Sequence, residues 1–263
     1  MATPRSLSLY FLIEARAGVL RGPLVGLLAG AAMIAATHLL VPRLPQTAIS
    51  VLEKSFVIKG PAALLLLNDY LAIYAALFFA GFAELLRALV APREERQLEL
   101  LLSKPISPST LVRARAVPVL VAVGFGAVAL GASLALAIAP ISSPASATAA
   151  GAFGGALLLG AVTVVLLAAL TPLLVQSRDG FEALVVGFIV WTLPLLPSTA
   201  FLYRPDLFAG RPALASALVA PANLIWHDAA MPVLGLIAMG GAAGLSVCLL
   251  AWAGAILRRI GVG

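Results

Sequence analysis

Six apolar stretches, each long enough to cross a lipid bilayer, dominate this chain. A helix needs about 20 mostly apolar residues to span the hydrocarbon core. The stretches that meet this requirement are 22–41, 62–90, 116–139, 148–175, 181–202 and 231–257. Because a bilayer accepts only segments that satisfy their own backbone hydrogen bonds, we expect each stretch to be a helix. The sequence therefore predicts an all-α polytopic membrane protein that forms a single transmembrane domain over residues 1–263.

Charge and composition agree with this class. Hydrophobic residues make up 62% of the chain, whereas soluble domains contain roughly 45–50%. The net charge of +6 does not indicate nucleic-acid binding, because the basic residues flank apolar stretches instead of forming a stripe. With the N-terminus inside, most Lys and Arg residues lie on the inner side, and the outer side keeps Arg43, Lys54, Lys59, Arg204 and Arg211. This bias predicts that both termini are cytoplasmic. The expected location is the cell's inner (plasma) membrane.

Three further segments complete the predicted topology. Residues 6–21 mix apolar side chains with Glu14, Arg16 and Arg21, a pattern typical of a helix that lies at the inner membrane interface. The alternative is an ordinary basic flank of the first span. Residues 203–230 are expected to form an external segment that is interrupted by prolines. No cleavable signal peptide is predicted, and the single cysteine, Cys248, excludes a disulfide framework.

A charged segment, residues 93–103, separates the second and third apolar stretches. Its apolar side chains fall at helical spacing and its acidic side chains occupy the remaining surface. Pro92 is suited to the first turn of a helix, and the helix must end before Pro105. The hydroxyl side chains of Ser107, Ser109 and Thr110 are suited to capping the next helix. The segment is therefore predicted to be a short amphipathic helix across the cytoplasmic mouth of the bundle.

The charged segment resembles a motif in the permease subunits of type 2 ABC exporters. In that family, acidic and basic residues precede Gly-Thr-Leu-Glu-Leu-Leu-Leu, a small residue, any residue, Pro, an aliphatic residue and Ser. Residues 94–107 read Glu-Glu-Arg-Gln-Leu-Glu-Leu-Leu-Leu-Ser-Lys-Pro-Ile-Ser, with Arg96-Gln97 in place of Gly-Thr. Six spans, an N-terminal amphipathic helix with Glu14, the external Pro221 to Asn223 and the basic end at Arg258-Arg259 are also similar to the family.

The resemblance implies a permease that is driven by a separate ATP-binding subunit. The charged segment would be a coupling helix that docks on this partner, and two permeases, alike or related, would assemble with two ATPase subunits in the lipid bilayer. ATP and Mg²⁺ would bind to the partner, since this chain has no Gly-x-x-x-x-Gly-Lys-Ser/Thr loop and is expected to hold no cofactor. The expected ATPase contacts are Glu94, Glu95, Leu98, Glu99, Leu101 and Leu102, with Arg178, Asp179 and Glu182 as a second, weaker contact.

Polar residues near the outer end of the second span form another candidate site. Polar groups inside a bilayer are costly and are often functional. Asn68, Asp69, Tyr70 and Tyr74 are therefore predicted to line the substrate path. Alternatively, Asp69 caps the true start of the span, and residues 62–67 belong to an external segment. His38 is interpreted as an ordinary interfacial residue, because no carboxylate lies near it in sequence, and we predict no metal site.

Two other functions remain open at the level of sequence. A membrane scaffold that does not transport would have the same composition but no ATPase partner. An intramembrane enzyme would need motifs that the chain lacks, such as His-Glu-x-x-His or a Gly-x-Ser-Gly-like nucleophile. We therefore assign no catalytic residue.

Overall fold

The computed structural model describes residues 21–50, 61–95, 107–139, 145–196 and 232–260, and the regular secondary structure of this part of the chain is helical. A π-helical turn, Leu86–Val90, joins the helix Pro61–Leu85 to the helix Ala91–Glu94. The principal helices are α1 Arg21–Leu40, α2 Pro61–Leu85, α3 Ala91–Glu94, α4 Pro108–Ile138, α5 Ala145–Gln176, α6 Gly180–Thr192 and α7 Pro232–Ile260.

Four apolar segments have the length and composition of membrane spans among the described residues. They are Asn68–Val90, Pro108–Ile138, Ala149–Gln176 and Pro232–Ile260. Two shorter apolar helices, Leu24–Leu40 and Gly180–Thr192, accompany them. The protein thus has the character of a membrane-embedded helical bundle.

Small residues bring the central helices of the bundle close together. α4 and α5 run antiparallel, and methyl groups added at Gly131 and Gly160 would lie 2.9 Å and 2.3 Å from the Cβ atoms of Ala156 and Ala127. α7 packs beside α5, where Gly235 faces the Leu157 side chain. Helices in a bilayer associate through such close packing, because lipid supplies no hydrophobic drive between them.

The bundle has two chemically different ends. At the end that we call the basic end, α3 and α5 end, α4 and α6 begin, and the last turns of α7 pack on the first turn of α4 through Gly254 and Ser109. Basic residues at this end include Arg87, Arg113, Arg115, Arg178, Arg258 and Arg259. α1 runs antiparallel to α2 from the Gly26–Ala80 contact to the opposite end, where His38 meets Asp69.

Helix boundaries agree with some local sequence signals and differ from others. Ser107 is the N-cap of α4, as its position before Pro108 predicts, and its side chain accepts a hydrogen bond from the Thr110 backbone N–H at 3.2 Å. In contrast, α6 is interrupted within the predicted fifth span: it ends at Thr192, and Leu195 and Leu196 are helical again. Pro194 explains this end, because it has no N–H to continue the helical ladder. The predicted interfacial helix (6–21) and external segment (203–230) lie outside the described residues.

Candidate functional site

A buried arginine braces the basic end of the bundle. Arg115 is 9% exposed, and its guanidinium donates a hydrogen bond to the carbonyl of Ala88. Ala88 lies in the π-helical turn, where the widened ladder alters the backbone hydrogen bonding. Near this turn, the exposed Arg87 guanidinium lies 2.8 Å from the buried Glu84 carboxylate. α4 therefore holds the turn that leads from α2 to the charged segment.

Glu94 joins the start of the charged segment to the start of α6. Its Oε1 atom accepts a hydrogen bond from the Gly180 backbone N–H at 2.6 Å, across 86 residues of sequence. The first N–H groups of a helix have no partner within the helix, and the positive end of the helix dipole favours an anion. Glu94 thus supplies, from a different helix, a carboxylate that caps α6.

The remaining caps of α6 come from its own sequence. Asp179 is the N-cap, and its Oδ1 accepts from the Glu182 N–H at 2.8 Å. The Glu182 carboxylate accepts in turn from the Arg178 N–H at 2.8 Å. The arrangement is related to a capping box, but Glu182 binds the N–H of the residue before the N-cap instead of the N–H of Asp179 itself. The structure therefore brings Glu94, one member of the first predicted group of ATPase contacts, close to the second predicted group, Arg178, Asp179 and Glu182.

The described part of the charged segment ends just beyond Glu94. Glu95 is exposed, and its N–H donates to the carbonyl of Ala91 at 2.9 Å, which continues the helical turn of α3. Leu98, Glu99, Leu101 and Leu102 lie outside the described residues. Their roles in the ATPase contact stay predictions.

At the opposite end, the predicted substrate-path residues divide into two groups. Asn68 is exposed, and its amide donates to Thr37 Oγ1 at 2.7 Å. Asp69, Tyr70 and Tyr74 are buried against helices of this chain. The Tyr74 hydroxyl donates to the carbonyl of Trp191 at 2.8 Å, which ties α2 to the end of α6.

The pair formed by His38 and Asp69 corrects two interpretations of the sequence. Asp69 lies in the interior of α2, eight residues after its start at Pro61, so it does not cap the helix. Its Oδ2 atom lies 2.7 Å from His38 Nε2, so His38 has a carboxylate partner. Sequence distance concealed this pair, because 31 residues separate the partners. The local signal is that both residues are polar and lie near the same end of two successive apolar stretches.

An open apolar groove separates α2 from α6 toward the basic end. The groove has a volume of about 610 Å³ and is lined by Phe79, Phe82, Ala83, Leu86, Leu184, Val185, Phe188 and Ile189. We call it the lateral groove. The buried residues of α6 form a narrow stripe, Ala183, Gly187 and Val190, and Val186 and Trp191 pack against the core while partly buried. Leu184, Val185, Phe188 and Ile189 remain exposed. The composition of the groove suits lipid or other apolar groups.

The part of the chain that the structure describes contains no cluster of potential metal ligands. No group of three His, Cys, Asp or Glu residues with metal-binding geometry occurs there. Comparison with models of protein families, with curated proteins and with solved structures gives no match. The functional argument therefore rests on the residues themselves.

Proposed function

We propose that this chain is the transmembrane permease subunit of an ATP-driven exporter of the type 2 ABC class. It forms the substrate path with a second permease, and two separate ATP-binding subunits drive it. The observation that carries the proposal is the charged segment, residues 93–103, placed between two apolar helices. The contact between Glu94 and Gly180 supports it, because this contact joins the segment to a second polar loop and gives a partner a broad surface to bind.

In this proposal the chain crosses the membrane six times. α1 and α6 with the residues that follow it supply two spans besides the four long helices. The basic end faces the cytoplasm, in agreement with the distribution of Lys and Arg, and both termini lie on that side of the plasma membrane. Single cysteines introduced at Arg43 and at Lys104, in a Cys248→Ser background, test this orientation with a membrane-impermeant thiol reagent. Labelling of intact cells is expected at 43 and not at 104, and the reverse pattern would contradict it.

The substitution Leu101→Asp tests the ATPase contact. A carboxylate on the apolar side of the coupling helix would have to be desolvated in the interface, so binding of the ATP-binding subunit should be lost while membrane insertion is retained. The measurement is affinity purification of the tagged chain from native membranes, with the co-purified protein identified by mass spectrometry and by its phosphate-binding loop. Leu207→Asp, the same change in the predicted external segment, is the matched control and should keep the partner.

Two outcomes would contradict the proposal. Undiminished co-purification with Leu101→Asp would remove Leu101 from the contact face. If no ATP-binding subunit accompanies even the unsubstituted chain, the scaffold function becomes the better explanation.

A further inference from the structure

We infer that Glu94 is a positioning residue that transmits movement of the charged segment to α6, and that this movement changes the width of the lateral groove. The inference rests on the proposed function, and it assigns Glu94 a role different from direct attraction to the ATPase subunit. Its carboxylate is already engaged, because Oε1 accepts the Gly180 N–H at 2.6 Å. Because the Glu94 side chain is bound to α6, a displacement of Glu94 would displace the start of α6 as well.

α6 is held in a way that permits such a movement. Among the described residues, a hydrogen bond joins each end of α6 to the rod formed by α2, the π-helical turn and α3: Glu94 with Gly180 at the basic end, and Tyr74 with the carbonyl of Trp191 at the other. Between these bonds the stripe that includes Gly187 is buried, and the partly buried Val186 and Trp191 also pack against the core. At Gly187 the ring of Phe82 lies so close that an added methyl group would be 2.2 Å from Cζ. The Phe82 ring is therefore seated closely over Gly187, and this contact is the point about which α6 could tilt.

The rod that holds α6 has a candidate hinge between its two attachment points. The π-helical turn Leu86–Val90 lies between Tyr74 and Glu94, and such turns commonly mark functional distortions of a helix. Arg115 of α4 braces this turn through the carbonyl of Ala88. When a docked partner displaces α3, the α2 part can stay in place with Tyr74 while Glu94 carries the first turn of α6 along.

The lateral groove is the feature that such a tilt would change. One wall is the α2 face with Phe79 and Ala83, and the other is the α6 face with Leu184 and Phe188. The hydrogen bonds that involve Gly180 and Trp191 lie beyond the two ends of the groove. Displacing the Gly180 end of α6 therefore changes the distance between the two walls at the basic end. The groove is apolar throughout its lining, and an apolar portion of a lipid or of a cargo molecule is the chemical class that it can accept. Nucleotide state would thereby control access to this groove.

Distances between spin labels test the link directly. In a Cys248→Ala background, one label replaces exposed Arg113 on α4 as the reference, and a second replaces either exposed Phe181 on α6 or exposed Glu95, the residue that follows α3. In the complete complex, ATP should shift the 113–181 and the 113–95 distances. With Glu94→Ala, the 113–95 distance should still shift, and the nucleotide-dependent shift of 113–181 should be lost.

Two conservative variants separate a mechanical link from attraction by charge. Glu94→Gln removes the charge but keeps an oxygen that can reach the Gly180 N–H, so it should retain the shift of α6. Glu94→Asp keeps the charge but is one methylene shorter, so it should lose the shift. All three variants should still co-purify with the ATP-binding subunit. The opposite ranking, with Asp retaining and Gln losing the shift, or loss of co-purification with Gln, would overturn the inference.

A measurement on the permease without its partner separates failure of the link from failure of the proposed function. In nanodiscs without nucleotide, Glu94→Ala should broaden the 113–181 distance distribution, since the first turn of α6 loses its hydrogen bond to Glu94, and should leave the 113–95 distribution unchanged. An unchanged 113–181 distribution would refute the link even if an ATPase subunit binds. A broadened distribution in a chain that binds no ATPase would refute the exporter assignment alone.

Discussion

The pair formed by His38 and Asp69 gives the sharpest stability prediction. The Asp69 side chain is 0% exposed and the His38 side chain 13% exposed. Asp69 Oδ1 accepts no hydrogen bond among the described residues, so His38 is the partner that compensates the buried carboxylate. Removing one member of a buried pair leaves an uncompensated polar group and costs about 3–5 kcal/mol. We therefore expect His38→Leu to destabilise the protein by about that amount.

The double variant tests this reasoning, because it removes both polar groups. Replacing a whole buried pair with apolar residues is often neutral or stabilising. Adding Asp69→Leu to the His38→Leu variant should therefore restore about 3 kcal/mol. For a chain of this size, about 1 kcal/mol corresponds to roughly 2–4 °C in the melting temperature. His38→Leu should thus lower the melting temperature by roughly 6–20 °C, and the double variant should recover most of this loss.

Tryptophan fluorescence of the detergent-solubilised protein follows the melting, and the neighbouring polar contact supplies the control. Thr37 and Asn68 lie one residue before His38 and Asp69 and also bond across α1 and α2, but Asn68 is exposed. Interhelical hydrogen bonds in membranes average about 0.6 kcal/mol, so Thr37→Val should change the melting temperature by no more than a few degrees. A double variant that is less stable than His38→Leu alone would refute the reasoning.

Two further predictions concern packing and the attachment of α6. Gly254→Ala places a methyl group 2.5 Å from the backbone Cα of Ser109 and should destabilise the protein by about 1–3 kcal/mol. Gly244→Ala on the same helix meets nothing within 4 Å and should be neutral or stabilising by up to about 1 kcal/mol. Equal melting temperatures for the two variants would contradict the α4–α7 packing. Tyr74→Phe removes the hydroxyl that donates to the Trp191 carbonyl. It should lower the free energy of unfolding by about 0.6 kcal/mol and speed hydrogen exchange at the end of α6. Unchanged exchange there would count against this attachment.

Local chemistry in the sequence was sufficient to predict several elements of the fold. The apolar stretches form helices because a bilayer leaves no other way to satisfy the backbone. Ser107 before Pro108 fixed the start of α4. Asp179 and Glu182 were predicted only as an ATPase contact, although their spacing is also a local capping signal for α6. At both helix starts the residues that decide the structure lie within one helical turn of each other.

The contacts that define the candidate sites could not be predicted in the same way. Glu94 and Gly180 are 86 residues apart, and His38 and Asp69 are 31 residues apart. Such pairs depend on which helices are neighbours and on how far each is rotated, and small residues along several helices allow many close packings. The π-helical turn is likewise set by packing, since Arg115 reaches Ala88 from another helix. For the same reason, the lateral groove has no signature in the order of its residues.

Site-specific photocrosslinking at position 101 in native membranes tests the central claim most directly. A photoreactive amino acid there should form an adduct with a protein that carries an ATP phosphate-binding loop, and the same probe at position 207 should not. Docking of the charged segment on a nucleotide-binding partner predicts this difference. An adduct with such a protein from position 207 but not from 101, or labelling of a cysteine at 101 from outside intact cells, would contradict the account.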